Sequence, residues 1–202
     1  MKKIAVFASG AGTNTATIID HFSTSPSQPP SPMEREGLTP TVEIALIVCN
    51  NPKAGVLSIA AQKNIPSLVI DKERFFRGDA YLSLLKENEI DLIVLAGFLW
   101  KIPDSLIKEF PRRIINIHPA LLPKFGGKGM YGDHVHNAVI TNNEKQSGIT
   151  IHYVDEHYDN GDIIFQAACP VTGSDTPGSL AKRIRQLEQE HYPRVIGELL
   201  SK

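Results

Sequence analysis

Short apolar runs alternate with stretches whose apolar residues recur every three or four positions, and this alternation organises the first half of the chain. Ile4-Ala5-Val6-Phe7-Ala8 is unbroken, as expected of a strand buried on both faces. Similar runs over 42–48, 67–70, 91–95 and 114–117 predict four more strands, and helical spacing predicts helices over 15–21, 55–63, 79–87 and 103–109. Strand–helix–strand alternation of this kind is the mark of a mainly parallel sheet flanked by helices, an α/β Rossmann-like architecture. The Ser- and Pro-rich block 23–40 predicts a mobile surface loop between the first helix and the second strand, not a domain linker.

The pattern changes beyond His118. A loop with Gly126, Gly127, Gly129 and Gly132 leads into a predicted helix over 134–141, followed by two longer strands over 147–154 and 162–171. Thr176 then reads as an N-cap with Pro177 in the first helical position. Leu180, Ile184, Leu187, Val195, Ile196 and Leu199 recur at helical spacing, and Pro193 predicts a kink in this long last helix. At 202 residues the chain can bury a substantial core. We expect one domain over 1–202, with a phosphate-binding half over 1–110 and a catalytic half over 111–202.

Charge narrows the partners. Lys and Arg number 21 against 22 Asp and Glu, for a net charge of -1, with no basic block. That balance argues against nucleic acid or an anionic membrane as the main partner. No apolar run approaches the roughly 20 residues that span a bilayer, and the start of the chain lacks the form of a secretory signal. Cys49 and Cys169 are too few for a disulfide framework and are not in metal spacing. The expected setting is cytoplasmic.

Three places carry candidate chemistry. In Asn116-Ile117-His118-Pro119 the two-residue period of a strand points Asn116 and His118 the same way, at the carboxyl end where open α/β sheets bind ligands. An amide there can donate to a developing oxyanion, and an imidazole can move a proton near neutral pH. A strand-end histidine satisfied by a nearby carbonyl has the same sequence. Ser9-Gly10-Ala11-Gly12-Thr13-Asn14, between a strand and a helix, suits an anion held by backbone N–H groups. It lacks the Gly-Lys-Ser/Thr of a Walker loop, and Thr15 stands where a dinucleotide fingerprint has its third glycine. A phosphate monoester fits best, with a tight turn and no ligand as the other reading. The third place is the acidic turn Asp155-Glu156-His157-Tyr158-Asp159-Asn160-Gly161: a carboxylate folded back on His118 would raise its pKa. His134 and His136, two apart on a helix, diverge by about 200° and would not chelate one ion. Trp100, beside Leu99 and Phe98, reads as core, although such a wall suits a planar heterocycle.

Taken together, the loop 9–14, Leu95-Ala96-Gly97-Phe98, the segment from Asn116 to Pro123, the turn ending at Asp159, and Leu187-Glu188 with Tyr192-Pro193 resemble the phosphoribosylglycinamide formyltransferases of purine biosynthesis. The resemblance runs along nearly the whole chain. It implies the formyltransferase fold, with C-terminal strands and a long C-terminal helix added to the Rossmann-like part. It also implies formyl transfer from 10-formyltetrahydrofolate to glycinamide ribonucleotide, without a metal. Through it, Asn116, His118 and Asp159 match the catalytic trio, and Gly12, Thr13 and Asn14 the phosphate site. Arg185 and Glu188 match the substrate end of the last helix. Leu99, Trp100, Lys101 and Ile102, with Asn116 and the run Asp155, Glu156, His157, Tyr158 and Asp159, match folate contacts.

The implied chemistry has Asn116 donating to the oxyanion, His118 acting as an imidazolium and Asp159 raising its pKa. Small-molecule substrates and a monomer or weak homodimer are expected. A formyltetrahydrofolate hydrolase shares the Asn-x-His-Pro element, but in that family a regulatory domain comes first, whereas Lys3 already leads into a strand, and the phosphate loop would be idle. A non-enzymatic ribonucleotide or folate binder would not need the trio. Some positions depart from the family: Gln189 replaces a frequent His, with His191 beyond it. The loop 125–133 is longer than in the shortest members, and a folate-contacting Arg falls near Arg77 or Gly78.

Overall fold

In the computed structural model, described over residues 1–23, 41–77 and 79–202, the predicted alternation becomes a seven-stranded sheet between helices. The predicted loop 23–40 therefore lies, apart from Ser23, outside the described residues, as does Gly78. Strand β1 (Lys2–Ala8) is fully buried from Ile4 onward, and helix α1 (Thr13–Ser23) follows it. The chain continues through β2 (Val42–Cys49), α2 (Gly55–Gln62), β3 (Ser67–Val69), α3 (Lys72–Phe76), α4 (Leu82–Glu87), β4 (Leu92–Leu95), α5 (Asp104–Glu109) and β5 (Ile114–His118). Helix α1 begins two residues earlier than expected, which puts Thr13 and Asn14 in its first turn. The single helix expected over 79–87 is shorter. A separate α3 precedes it, capped by the Asp71 carboxylate on the Arg74 N–H.

The strand order is β3-β2-β1-β4-β5 followed by β6 (Gln146–Tyr153) and β7 (Ile163–Pro170). The first five strands are parallel; β6 and β7 add antiparallel. The chain moves from β1 outward to β3, then returns to β4 on the other side of β1. Connections therefore diverge between the carboxyl ends of β1 and β4, where a crevice opens. Two hydrogen bonds tie the loops across that point: Ser9 N–H to Gly97 O at 3.1 Å, and Leu99 N–H to Ser9 Oγ at 2.9 Å.

Period-two alternation along the strands divides the core. Ile4, Val6, Val94, Ile115, Ile117, Ile149 and Ile151 face α1 and the last helix, α7 (Pro177–Leu200), while Ala5, Phe7, Ile93, Leu95 and Ile114 face Phe75, Leu85, Phe98 and Leu106. Helix α7 starts as its sequence predicts, with Pro177 at N1 and reciprocal Thr176–Ser179 capping. It continues as one element through Pro193, whose missing N–H cannot serve the Gln189 carbonyl. The fully buried Tyr192 pins α7 to the sheet, its hydroxyl donating to Leu95 O at 3.0 Å and reaching Ile115 O at 3.4 Å. Helix α6 (Asp133–Thr141) packs on α7. Among the described residues, no helix is long and apolar enough to cross a membrane.

Candidate active site

A cavity of about 570 Å³ opens at the carboxyl ends of β4 and β5, in the size range of small-molecule sites. Asn116, His118 and Asp159 line it together, with Asn14, Arg185 and Glu188 along another part of the wall. Leu99, Trp100, Lys101 and Ile102 also line it, as do Asp155, His157 and Tyr158. Gly12, Thr13 and Glu156 do not: Gly12 is buried beneath the loop, and Thr13 and Glu156 are exposed outside the lining. Trp100 is both core and wall, packing on Phe75, Phe76 and Phe98 while it borders the cavity.

The aspartates in and beside the acidic turn take three separate roles. Asp159 folds back on the strand end, its Oδ2 lying 3.5 Å from His118 Nδ1. Asp155 instead caps its own turn through the His157 N–H and Asn160, and Asp162 pairs with Arg112 at the surface. Asp159 holds a left-handed φ of 52°, a strained conformation for a residue with a side chain. The Gly127 N–H donates to the same Oδ2 at 2.9 Å.

His118 is only 3% exposed. Its Nε2 lies 2.8 Å from the Phe125 carbonyl, so the carbonyl expected of a merely structural histidine is present alongside the carboxylate of a functional one. Burial pushes the imidazole below its ordinary value of 6.5; Asp159 and the Phe125 carbonyl push the other way without offsetting it, and His152 adds to the lowering. Against the expected imidazolium, desolvation outweighs Asp159 and holds the ring's pKa below its ordinary value, which favours the neutral form. Burial also pushes the Asp159 carboxyl up, but His152, His118 and the Gly127 N–H together carry it below its usual range, so it is ionised.

His152 is the residue that strand periodicity did not single out. Antiparallel pairing of β5 with β6 sets it directly across from Asn116, on the same face. Its Nδ1 lies 2.8 Å from the Tyr153 carbonyl, which leaves Nε2 to accept from Asn116 Nδ2 at 3.2 Å. The other nearby acceptor for that amide is Asp159 Oδ1 at 3.5 Å. The only sequence signal was a histidine inside the strand predicted over 147–154.

At the other end of the cavity, Asn14 Nδ2 donates to Glu188 at 3.1 Å, joining the first turn of α1 to α7, and Asn14 Oδ1 is buried without a partner. Burial raises the Glu188 carboxyl above its ordinary value, with Asn14 and Arg185 pulling against it. His136 is buried and lines the cavity, whereas His134 is exposed against Tyr131, so the two imidazoles diverge. Among the described residues, no group of three or more His, Cys, Asp or Glu is placed to hold a metal. Arg77 pairs with Glu73 and borders a second hollow, which shares Lys101 and Ile102 with the wall of the main cavity. His191 packs on Phe165.

Known proteins resemble this chain over nearly its whole length. The formyl transferase family matches residues 2–196. The chloroplastic phosphoribosylglycinamide formyltransferase of Arabidopsis thaliana is 39% identical over 98% of this chain and 65% of its own length. That of Vigna unguiculata is 38% identical, with 61% of its length covered, so the chain spans less than two thirds of these plant relatives. The phosphoribosylglycinamide formyltransferase of Bacillus subtilis is 37% identical over 99% of this chain and 95% of its own. Among solved structures, the enzyme of the same name from Bacillus halodurans superposes with a TM-score of 0.83 at 35% identity, covering 100% of this chain and 96% of that one.

Proposed function

The chain belongs to the formyl transferase family, and we propose that it moves the formyl group of 10-formyltetrahydrofolate onto the amine of 5-phosphoribosylglycinamide. The products would be N-formylglycinamide ribonucleotide and tetrahydrofolate, as in de novo purine synthesis. The whole chain acts as one formyltransferase domain in this reading, in the cytoplasm, without a metal. The observation that carries it is the convergence of Asn116, His118 and Asp159 on one cavity that also reaches Asn14, Arg185 and Glu188. The first group suits acyl chemistry. The second sits beside a helix start able to hold a phosphate.

The steps follow from the contacts. The amine nitrogen bonds to the formyl carbon, and the carbonyl electrons move onto oxygen. His152 holds one Asn116 amide hydrogen; the other, whose present contact with Asp159 is long at 3.5 Å, turns to the oxyanion. The amine must lose a proton as it attacks. His118, neutral at rest, takes it on Nδ1, where ionised Asp159 stabilises the resulting charge. The same proton passes to N10, directly or through an ordered water, as the C–N10 bond breaks and the oxyanion collapses. Folate packs against Leu99 to Ile102 and the turn 155–159, and bringing both substrates into one crevice supplies much of the acceleration.

A turnover assay with both substrates tests the reading. Tetrahydrofolate should appear only when the ribonucleotide is present, with the formyl group on the ribonucleotide. Release without ribonucleotide would mark a hydrolase, and no release a binding protein.

A further inference from the structure

The segment between Pro123 and α6 reaches the catalytic pair through its backbone alone. Phe125 at φ 57° and Gly127 at φ 96° are both left-handed, and between them the chain reverses so that the Phe125 carbonyl and the Gly127 N–H both point into the site. The carbonyl meets His118 Nε2 at 2.8 Å and the N–H meets Asp159 Oδ2 at 2.9 Å. Gly126 lies wedged between: a Cβ there would stand 2.5 Å from Leu122 Cδ2 and 3.2 Å from Asp159 Cβ.

A carbonyl oxygen only accepts, so the nitrogen facing it carries the hydrogen. A neutral imidazole has one such hydrogen, and with Nε2 protonated its lone pair is on Nδ1. A histidine beside a carboxylate ordinarily adopts the reverse form, with Nδ1–H donating to the acid. Here that form would turn the lone pair toward the protein backbone, where no substrate proton arrives. We propose that the Phe125–Gly127 backbone is a positioning element of the reaction: its carbonyl locks the His118 hydrogen on Nε2, and its N–H holds Asp159 beside the nitrogen that must accept the proton. The other titratable groups facing His118 are His152 from β6 and His136 from α6. The catalytic consequence rests on the formyl-transfer reading; the ring's protonation pattern does not.

Nitrogen-15 NMR of the histidine rings in the free protein, above the His118 titration, reads the pattern directly. Nε2 should give the signature of a protonated nitrogen and Nδ1 that of a bare one. Gly127 supplies the perturbation: a Cβ there meets no protein atom within 4 Å, so it strains the positive φ without a clash inside the protein. Gly127→Val, which is excluded from that region, should mix the two ring forms. It should also lower kcat tenfold or more. Gly127→Asn, which bears positive φ better than Val, should mix the ring forms less and lose less kcat than the Val variant. A wild-type ring protonated mainly on Nδ1 would overturn the proposal even if the Val variant does not fold, as would a folded Val variant with unchanged ring form and kcat. A protein with the expected ring form that does not turn over the two substrates would refute the formyl-transfer reading and leave the lock standing.

Discussion

A carboxylate placed in the loop 9–14 should discriminate between the two substrates, and the structure decides which glycine to change. Gly12 is a poor choice: it holds φ 82°, and a Cβ there would lie 2.9 Å from Val56 Cα and Ile59 Cδ1, so any side chain disturbs the fold as well as the charge. Gly10 is exposed, its Cβ would meet nothing within 4 Å, and its φ is not left-handed. Gly10→Asp therefore adds charge with little strain. At a separation of ~6 Å and a dielectric of ~80, a carboxylate and a phosphate dianion repel by roughly 1.4 kcal/mol, about tenfold in affinity. An effective dielectric of ~20 makes the penalty roughly four times larger, while salt screening reduces it, so about tenfold is the expected scale. Gly10→Asn matches the shape without the charge. Calorimetric titration of glycinamide ribonucleotide and of a folate, each alone, should show about a tenfold loss for the ribonucleotide with Asp, little loss with Asn, and folate binding kept in both. Equal losses for Asp and Asn, or full ribonucleotide affinity in the Asp variant, would refute the placement of the phosphate at this loop.

Other expectations follow from the same geometry. His118→Ala and Asn116→Ala should each lower turnover by about 10²-fold or more with folded-state spectra intact, since each acts on the intermediate; near-wild-type rates would remove the residue from the mechanism. Asp159 pushes His118 upward against burial, so Asp159→Asn should lower the His118 pKa further, and an NMR titration showing it unchanged or higher would contradict the pairing. Burial lowers both His118 and His136 below 6.5, so the unfolded chain binds protons that the folded one does not as the pH falls through 6.5. Stability should accordingly be full above that value. Below it, each histidine should cost roughly 1 kcal/mol per pH unit until its folded-state value is reached, and urea titrations giving a flat profile from pH 7 to 5.5 would show that neither ring is held neutral. Tyr192→Phe removes a buried hydroxyl bonded to Leu95 O, and denaturation should show a loss of about 1–2 kcal/mol.

Several features were legible because they are local. Apolar runs of strand length, the Thr176-Pro177 start of α7 and the shared face of Asn116 and His118 depend only on periods and caps within a few residues, and each has its counterpart in the fold. The N-terminus of α1 was misplaced by two residues because Thr13 and Asn14 resemble loop residues until a helix turn is built on them. The Asp159 assignment came from family resemblance; the turn's own sequence offered Asp155 equally.

Tertiary structure decided the rest. Placing β1 between β2 and β4 opens the crevice, and it requires a chain return over some ninety residues that no local pattern encodes. The β5–β6 register puts His152 opposite Asn116, a pairing across 36 positions. The Phe125 carbonyl and the Gly127 N–H enter the site as backbone, which looks the same in every sequence until the chain is folded. Whether His118 rests charged was also out of reach. Sequence shows a carboxylate that would hold its proton, but desolvation sums over everything packed around the ring, and in the folded protein that sum outweighs the carboxylate.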